Sequence, residues 1–348
     1  MKKVEQNLFL KKEFRRSFGF PTGNSVWSAK IVCGILFFLA GSFLWAEEGF
    51  SQGLDDALAD FVRQTVINSA TATVVFTSTE AVSTGSFDFD EEDERGDTRF
   101  DITRVVVRHF FSRFRDSEYA PFVLFGLGYF EDKEKVLLGG DPPDESRFKA
   151  LSLSLGGGVR LELVDEHLWL TPEIDLIYGR TSNDHDYRSW ISQEIFKPLF
   201  EGVLFNWHVD TLTCAPALEL TLENDFEPLK LGFDTRLTYL NLRTIRENRP
   251  EHEVKSDSTL WKNRLRFELP LGISLFHRPL SLRGDFSRVE LGGDVALPLK
   301  ETHFYEAGME LAIGPTEKGS GVQSFWVGAG HTFSRRINGW SFRLGLKF

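Results

Sequence analysis

Leu151-Ser-Leu-Ser-Leu-Gly-Gly-Gly-Val-Arg-Leu-Glu-Leu163 decides the fold. Leu151, Leu153, Leu155, Val159, Leu161 and Leu163 alternate with Ser152, Ser154, Gly156, Gly158, Arg160 and Glu162. A period of two is the signature of a strand with one apolar and one polar face. The run exceeds the ~5–6 residues usual for a soluble strand and meets the ~9–11 that a tilted membrane-crossing strand requires.

The dyad recurs at Leu229, Leu231, Phe233, Leu237 and Tyr239 against Lys230, Gly232, Asp234, Arg236 and Thr238, and again from Leu265 to Leu275 against Arg264, Arg266, Glu268, Gly272 and Ser274. After residue 46 no stretch is apolar long enough for a membrane helix, which needs ~20 residues, so a helical membrane protein is excluded. Extended along the chain, the pattern predicts strands near 71–84, 99–112, 120–131, 148–163, 168–180, 203–223, 228–245, 260–276, 280–299, 303–313, 323–334 and 340–348. About twelve strands fit the even counts of bacterial outer-membrane barrels and place both termini on the periplasmic side. The expected fold is therefore all-β, a transmembrane antiparallel barrel. The connections at Val164–His167, Asn224–Glu227 and His277–Pro279 are short, and those at Phe87–Thr98, Asp132–Arg147, Thr181–Gly202 and Arg246–Thr259 are long and polar. That alternation is expected of periplasmic turns and external loops. Lys300–Thr302 and Arg335–Gly339 are short for outer loops.

The N-terminal region reads differently. Lys2, Lys3, Lys11, Lys12, Arg15, Arg16 and Lys30 precede an apolar run from Ile31 to Trp45, and Gly41, Ser42 and Ala46 lead into Glu47 and Glu48. This is the pattern of a secretory signal peptide over 1–46, cut after Ala46. Residues 47–70 form the next unit. Leu54, Leu58, Phe61, Val62, Thr65 and Val66 recur at helical spacing, with Ser51 as N-cap, so Ser51–Asn68 is expected as a short N-terminal helix in the lumen or at the periplasmic mouth. Residues 71–348 are assigned to the barrel. Beyond residue 46 the chain has 33 Lys and Arg against 49 Asp and Glu, a net charge of −16, which argues against nucleic acid as a partner. Only Cys214 remains there, because Cys33 lies in the leader, so no internal disulfide is expected.

The last stretch, Trp340-Ser-Phe-Arg-Leu-Gly-Leu-Lys-Phe348, alternates Trp340, Phe342, Leu344, Leu346 and Phe348 with Ser341, Arg343, Gly345 and Lys347. It resembles the C-terminal signature strand of outer-membrane barrels, in which a terminal aromatic is read by the barrel assembly machinery. The resemblance implies that machinery as a partner through Phe348, with outer-membrane lipids and lipopolysaccharide around the barrel. A leader, one helix and about twelve strands resemble the solitary autotransporter-type β-domain family over approximately residues 51–348. Autotransporter translocators carry a helix in the pore and follow a long passenger, whereas few residues separate Ala46 from the helix here.

Candidate chemistry is sparse. His208 and Asp210, two apart in Asn206-Trp-His-Val-Asp210, share a strand face and suit a general-base pair similar to that of omptin-type proteases. The second acidic pair of such a site is not identifiable, and a polar strand end with Trp207 in an aromatic girdle is the simpler reading. His331 and Ser334, three apart, fall on opposite faces. Asn183-Asp-His-Asp186 offers cation ligands without calcium-loop spacing. The acidic run Asp88, Asp90, Glu91, Glu92, Asp93, Glu94 and Asp97 suits a solvated loop or divalent bridges to lipopolysaccharide. No catalytic, cofactor or metal residue is assigned.

Inward parity is expected for Arg160, Glu162, Glu173, Asp175, Glu219, Glu223, Asp234, Arg236, Arg264, Arg266, Glu268, Glu290, Asp294, Glu306, Glu310, Arg343 and Lys347. Such a set either rigidifies the lumen by pairing across strands or lines a polar, cation-favouring pore. The leading expectation is a non-catalytic, structural or translocator-like outer-membrane barrel. The alternatives are a porin-like channel for small solutes, an outer-membrane protease or lipid hydrolase using His208 and Asp210, and adhesion through the Thr181–Gly202 loop. The aromatics of that loop equally suit a helical lid over the mouth.

Overall fold

A computed structural model describes residues 82–89, 98–111, 119–136, 142–165, 167–296, 301–314 and 324–347. The leader, the Ser51–Asn68 helix, the acidic residues 90–97 and Phe348 lie outside the described residues.

Twelve antiparallel strands close into one barrel: β1 (Val82–Phe89), β2 (Thr98–Phe110), β3 (Tyr119–Val136), β4 (Asp144–Val164), β5 (Leu168–Asp186), β6 (Trp207–Phe226), β7 (Leu229–Glu247), β8 (Lys255–Leu275), β9 (Arg278–Gly293), β10 (His303–Ile313), β11 (Ser324–Phe333) and β12 (Ile337–Lys347). Each strand pairs with its sequence neighbours. Closure comes from β1 against β12, in register from Val82↔Leu344 to Phe89↔Ile337, which leaves no open sheet edge to be satisfied in lipid. β10 spans the range its periodicity predicts, the bounds of β2 to β9, β11 and β12 agree to within six residues, and β1 is described from Val82.

One barrel end carries both chain termini; we call the other end distal. At the terminal end the β6–β7 and β8–β9 turns are two residues long, the latter being Phe276 and His277, whose φ values of 53° and 61° suit a two-residue hairpin loop. The lipid-facing parity is the Leu-rich one: Phe125, Leu153, Leu176, Leu220, Leu265 and Leu344 are all exposed. Toward the distal end this belt ends at outward Tyr129, Tyr178, Tyr239, Trp261, Tyr305 and Trp340, an aromatic girdle of the kind that sits at a membrane–water boundary. Tyr119, Phe226 and Phe276 mark the opposite boundary.

The wall is uneven. β3 to β8 run 18 to 21 residues, whereas β10, β11 and β12 have 10 or 11. A span needs only ~9–11 residues, so β3 to β8 rise well past the girdle on one side.

The inward parity holds for most of the expected charges, with two corrections. Glu290 shares the outward parity of Phe286 and pairs with Arg288 at 3.0 Å. Asp294 follows the end of β9, where its carboxylate accepts the Asp257 backbone N–H at 2.9 Å. Both stand beyond the apolar belt, where an outward side chain meets water, so charge no longer reports the face.

Candidate functional site: the lumen and its lid

Alternation sends every second side chain of twelve strands into one bore, and these side chains sort into tiers. Nearer the termini the tier is ionic. Glu173 on β5, its side chain fully buried, receives Arg236 of β7 at 2.7 Å and Arg108 of β2 at 3.1 Å. Asp234 on β7 holds Arg264 at 2.9 Å and Arg266 at 2.7 Å, and Arg266 also reaches Glu223 at 3.0 Å. Farther round, Arg343 of β12 meets Asp285 of β9 at 2.7 Å, Arg283 meets Glu268 at 3.1 Å, and Glu306 takes Lys262 and the Ser287 hydroxyl. In the low dielectric of the interior a lone charge is costly, so each acid is held by one or two bases. The Arg108–Glu173 and Arg343–Asp285 pairs each join strands three places apart in the ring of twelve, so they bridge inside the lumen over strands that lie between them.

Distal to the charges the inward face turns apolar. Ile177, Ala215, Leu240, Leu260, Val289, Leu291, Val295, Phe304 and Ile337 form one buried cluster, and Phe87, Ile102, Phe130 and Ala150 form a second. Where the tiers meet, Leu124, Ile177, Leu260 and Phe304 face Asp175, Arg236, Lys262 and Glu306 across a small cavity of about 40 Å³. Sequence reasoning assigned polar residues to the lumen and missed this apolar tier. Its signal was a change of parity: Leu240 and Leu242 occupy the positions that Asp234 and Arg236 hold lower on β7.

Distal to the apolar tier, the β5–β6 connection folds back against the inner face of the tall wall, and we call it the lid. It comprises the π-helical turn Ser192–Phe196 and the α-helical turn Lys197–Phe200. Ser192, Phe196 and Phe200, four apart, are buried, while Trp190, Ile191, Ile195 and Leu199 face out. Asp144, at the start of β4, anchors the turn. Its Oδ1 accepts the backbone N–H of Arg188 at 2.6 Å and of Ser189 at 3.3 Å, and the Ser192 hydroxyl at 2.9 Å. Asn206, at φ 57°, tolerates the left-handed region; its side chain accepts the His185 N–H at 2.7 Å and donates to Glu201 at 2.9 Å. His252, from the β7–β8 connection, reaches the Val203 carbonyl at 3.0 Å.

His185 stacks on Phe205 at 3.9 Å and lies 3.8 Å from Asp144. It sits seven residues past Tyr178 of the girdle, outside the membrane span. Burial lowers its pKa below the ordinary imidazole value, against the opposing pull of Asp144. Burial likewise raises the Tyr187 phenol, with Glu201 adding to the effect. Ser192, His185 and Asp144 have the residue types of a nucleophilic triad but not its geometry. The hydroxyl donates to the carboxylate instead of to the imidazole, and it is fully buried.

The residues singled out from the sequence fall elsewhere. His208 and Asp210 share the outward parity of β6 at its distal end. Asp210 lies 3.8 Å from Arg180, and the His208 backbone N–H is taken by Asn248 at 2.9 Å. His331 faces outward against Trp340, whereas Ser334 lies past the end of β11 and bonds Glu301. Asn183 and His185 point in while Asp184 and Asp186 point out, so these four do not converge on a cation. Among the described residues no group of three or more His, Cys, Asp or Glu is arranged to hold a metal ion.

The profile of the family described as solitary outer membrane autotransporter beta-barrel domain matches residues 68–344. This chain belongs to that family. A solitary autotransporter-type barrel is at home in the outer membrane of a Gram-negative bacterium, in keeping with the closed twelve-stranded wall and its apolar belt. Solved structures similar to this barrel include the translocator domain of the autotransporter NalP from Neisseria meningitidis, at 12% identity, covering 79% of this chain and 91% of that one, TM-score 0.47. The β domain of the Bordetella autotransporter BrkA is 14% identical over 77% of this chain and 98% of that one, TM-score 0.47. The transport unit of AIDA-I from Escherichia coli is 10% identical over 82% and 96%, TM-score 0.49. No curated protein matches the chain.

Proposed function

We propose that this barrel is a non-catalytic, translocator-type outer-membrane β-domain whose lumen is closed at rest. The supporting observation is the ionic tier: Arg108–Glu173 and Arg343–Asp285 bridge strands three places apart inside the lumen. The apolar tier and the Asp144-anchored lid stand above it. An open pore for small solutes favours a wetted bore of unpaired charges, and this one is occupied by paired side chains. The distal end, with its lid and tall wall, faces the outside, and the termini face the periplasm. In the same reading, residues 1–46 are a leader removed after Ala46. Phe348 engages the barrel assembly machinery.

Single-channel recording of the full chain in planar bilayers tests this. The expected record is closed, with rare brief openings. Sustained ohmic conductance of porin type would establish the solute-channel alternative instead. A hydrolase reading needs activity that disappears in His208→Ala, and none is expected.

A further inference from the structure

One guanidinium of the lumen stands apart from the ionic tier. Arg108, Arg236, Arg264, Arg266, Arg283 and Arg343 each have a carboxylate within 4 Å. Arg104 of β2 has no ion pair among the described residues, and its Nε is buried without an acceptor. The residue is 7% exposed and faces the lumen at girdle depth, in register with Gly128, the neighbour of Tyr129. The charges that act on it bring little relief. Glu306 already holds Lys262 and the Ser287 hydroxyl, and Arg343 is a like charge engaged with Asp285.

The wall beside Arg104 is cut back. One inward row runs Arg343, Ser83, Arg104, Gly128, Ser152, Gly179 and Thr211, across β12 and then β1 to β6. Next to the guanidinium on either side stand only Ser83 and Gly128, so a shelf is left in the lining. Ser152, 2% exposed, follows Gly128 in the row, and its Oγ is likewise buried without a partner. Ile102, Phe130 and Ala150 form the next row distally and roof the shelf. Two unsatisfied donors thus flank a glycine that puts no side chain between them. A buried cation without a counter-charge is strongly unfavourable, and a buried donor without an acceptor adds to the cost.

We infer that Arg104 holds one small inorganic anion of chloride size on this shelf, with the Ser152 hydroxyl as its second donor. A water molecule would satisfy the two donors but leave the charge uncompensated. The anion supplies both, and it completes the charge pairing of the lumen from outside the chain. The inference does not depend on whether the bore conducts.

The test uses full-length protein in lipid vesicles, unfolded with urea and followed by tryptophan fluorescence. Sodium chloride is compared at equal ionic strength with sodium gluconate, whose anion is too large for the shelf. Chloride is expected to raise the midpoint; above its dissociation constant each tenfold rise in chloride multiplies the folding equilibrium constant by about ten. Arg104→Gln is expected to abolish the difference between the salts, and Arg243→Gln, on the outer face of the tall wall, to preserve it. Equal midpoints in the two salts overturn the inference, as does a chloride dependence that survives in Arg104→Gln. If that variant does not fold, crystals of the parent grown in sodium bromide decide the matter. Anomalous scattering from bromide beside the Arg104 guanidinium is expected, and its absence there refutes the site.

Discussion

Replacing Glu173 by Gln probes the ionic tier directly. The carboxylate holds Arg236 at 2.7 Å and Arg108 at 3.1 Å, and its side chain is fully buried. Gln keeps the shape and one acceptor oxygen but turns an N–H₂ group toward a guanidinium. Arg236 retains Glu219 at 3.4 Å and Asp175 at 4.0 Å, and Arg108 keeps the Phe122 ring at 4.7 Å but loses this carboxylate. Breaking one partner of a buried ion pair costs about 3–5 kcal/mol; with Arg236 still partnered we expect the low end, about 3 kcal/mol. The assay is guanidinium unfolding of the barrel in lipid vesicles, followed by tryptophan fluorescence. At a slope of about 3 kcal/mol/M the midpoint falls by roughly 1 M. The double variant Arg108→Leu with Glu173→Leu should recover part of the loss, because apolar replacement of a whole buried pair is often near neutral. If Glu173→Gln stays within about 0.5 kcal/mol of the parent, the crossing pairs are not what closes the bore.

Asp144→Ala removes the acceptor of two backbone N–H groups and the Ser192 hydroxyl; residues 187–206 should then exchange amide hydrogens at least tenfold faster, a change of about 1.4 kcal/mol in local opening, with the strands unaffected. Acid should loosen the same lid. His185 has a folded-state pKa below its unfolded value, so the lid is fully favoured above about pH 6.5, and the opened form gains as pH falls below that toward the folded-state value. Hydrogen exchange at pH 5 against pH 7.5 checks this, and the difference should shrink in His185→Phe. Gly345→Ala would drive a methyl group into the Trp326 indole, with an expected loss of about 1–3 kcal/mol in the same unfolding assay. His208→Ala should leave stability within about 0.5 kcal/mol of the parent.

By itself the sequence determined that this chain is a membrane barrel. Period two along Leu151–Leu163 and Trp340–Phe348 is a property of backbone geometry and needs no neighbours to be read. The count of twelve strands and the short turns at one end follow from it, as do the inward charges Glu173, Asp234 and Arg236. What only the tertiary structure decided depends on which inward side chains of different strands meet inside the bore. Arg108 finds Glu173 three strands away, and Leu240, Leu260 and Phe304 meet inside a lumen that pattern alone paints as polar. Glu290 faces outward by the same parity as Phe286, and its charge is tolerated there because the wall has already left the hydrocarbon. The lid is of the same kind. Asp144 and Ser192 lie 48 positions apart, and no local spacing announces a contact that barrel closure and the length of β4 and β5 create.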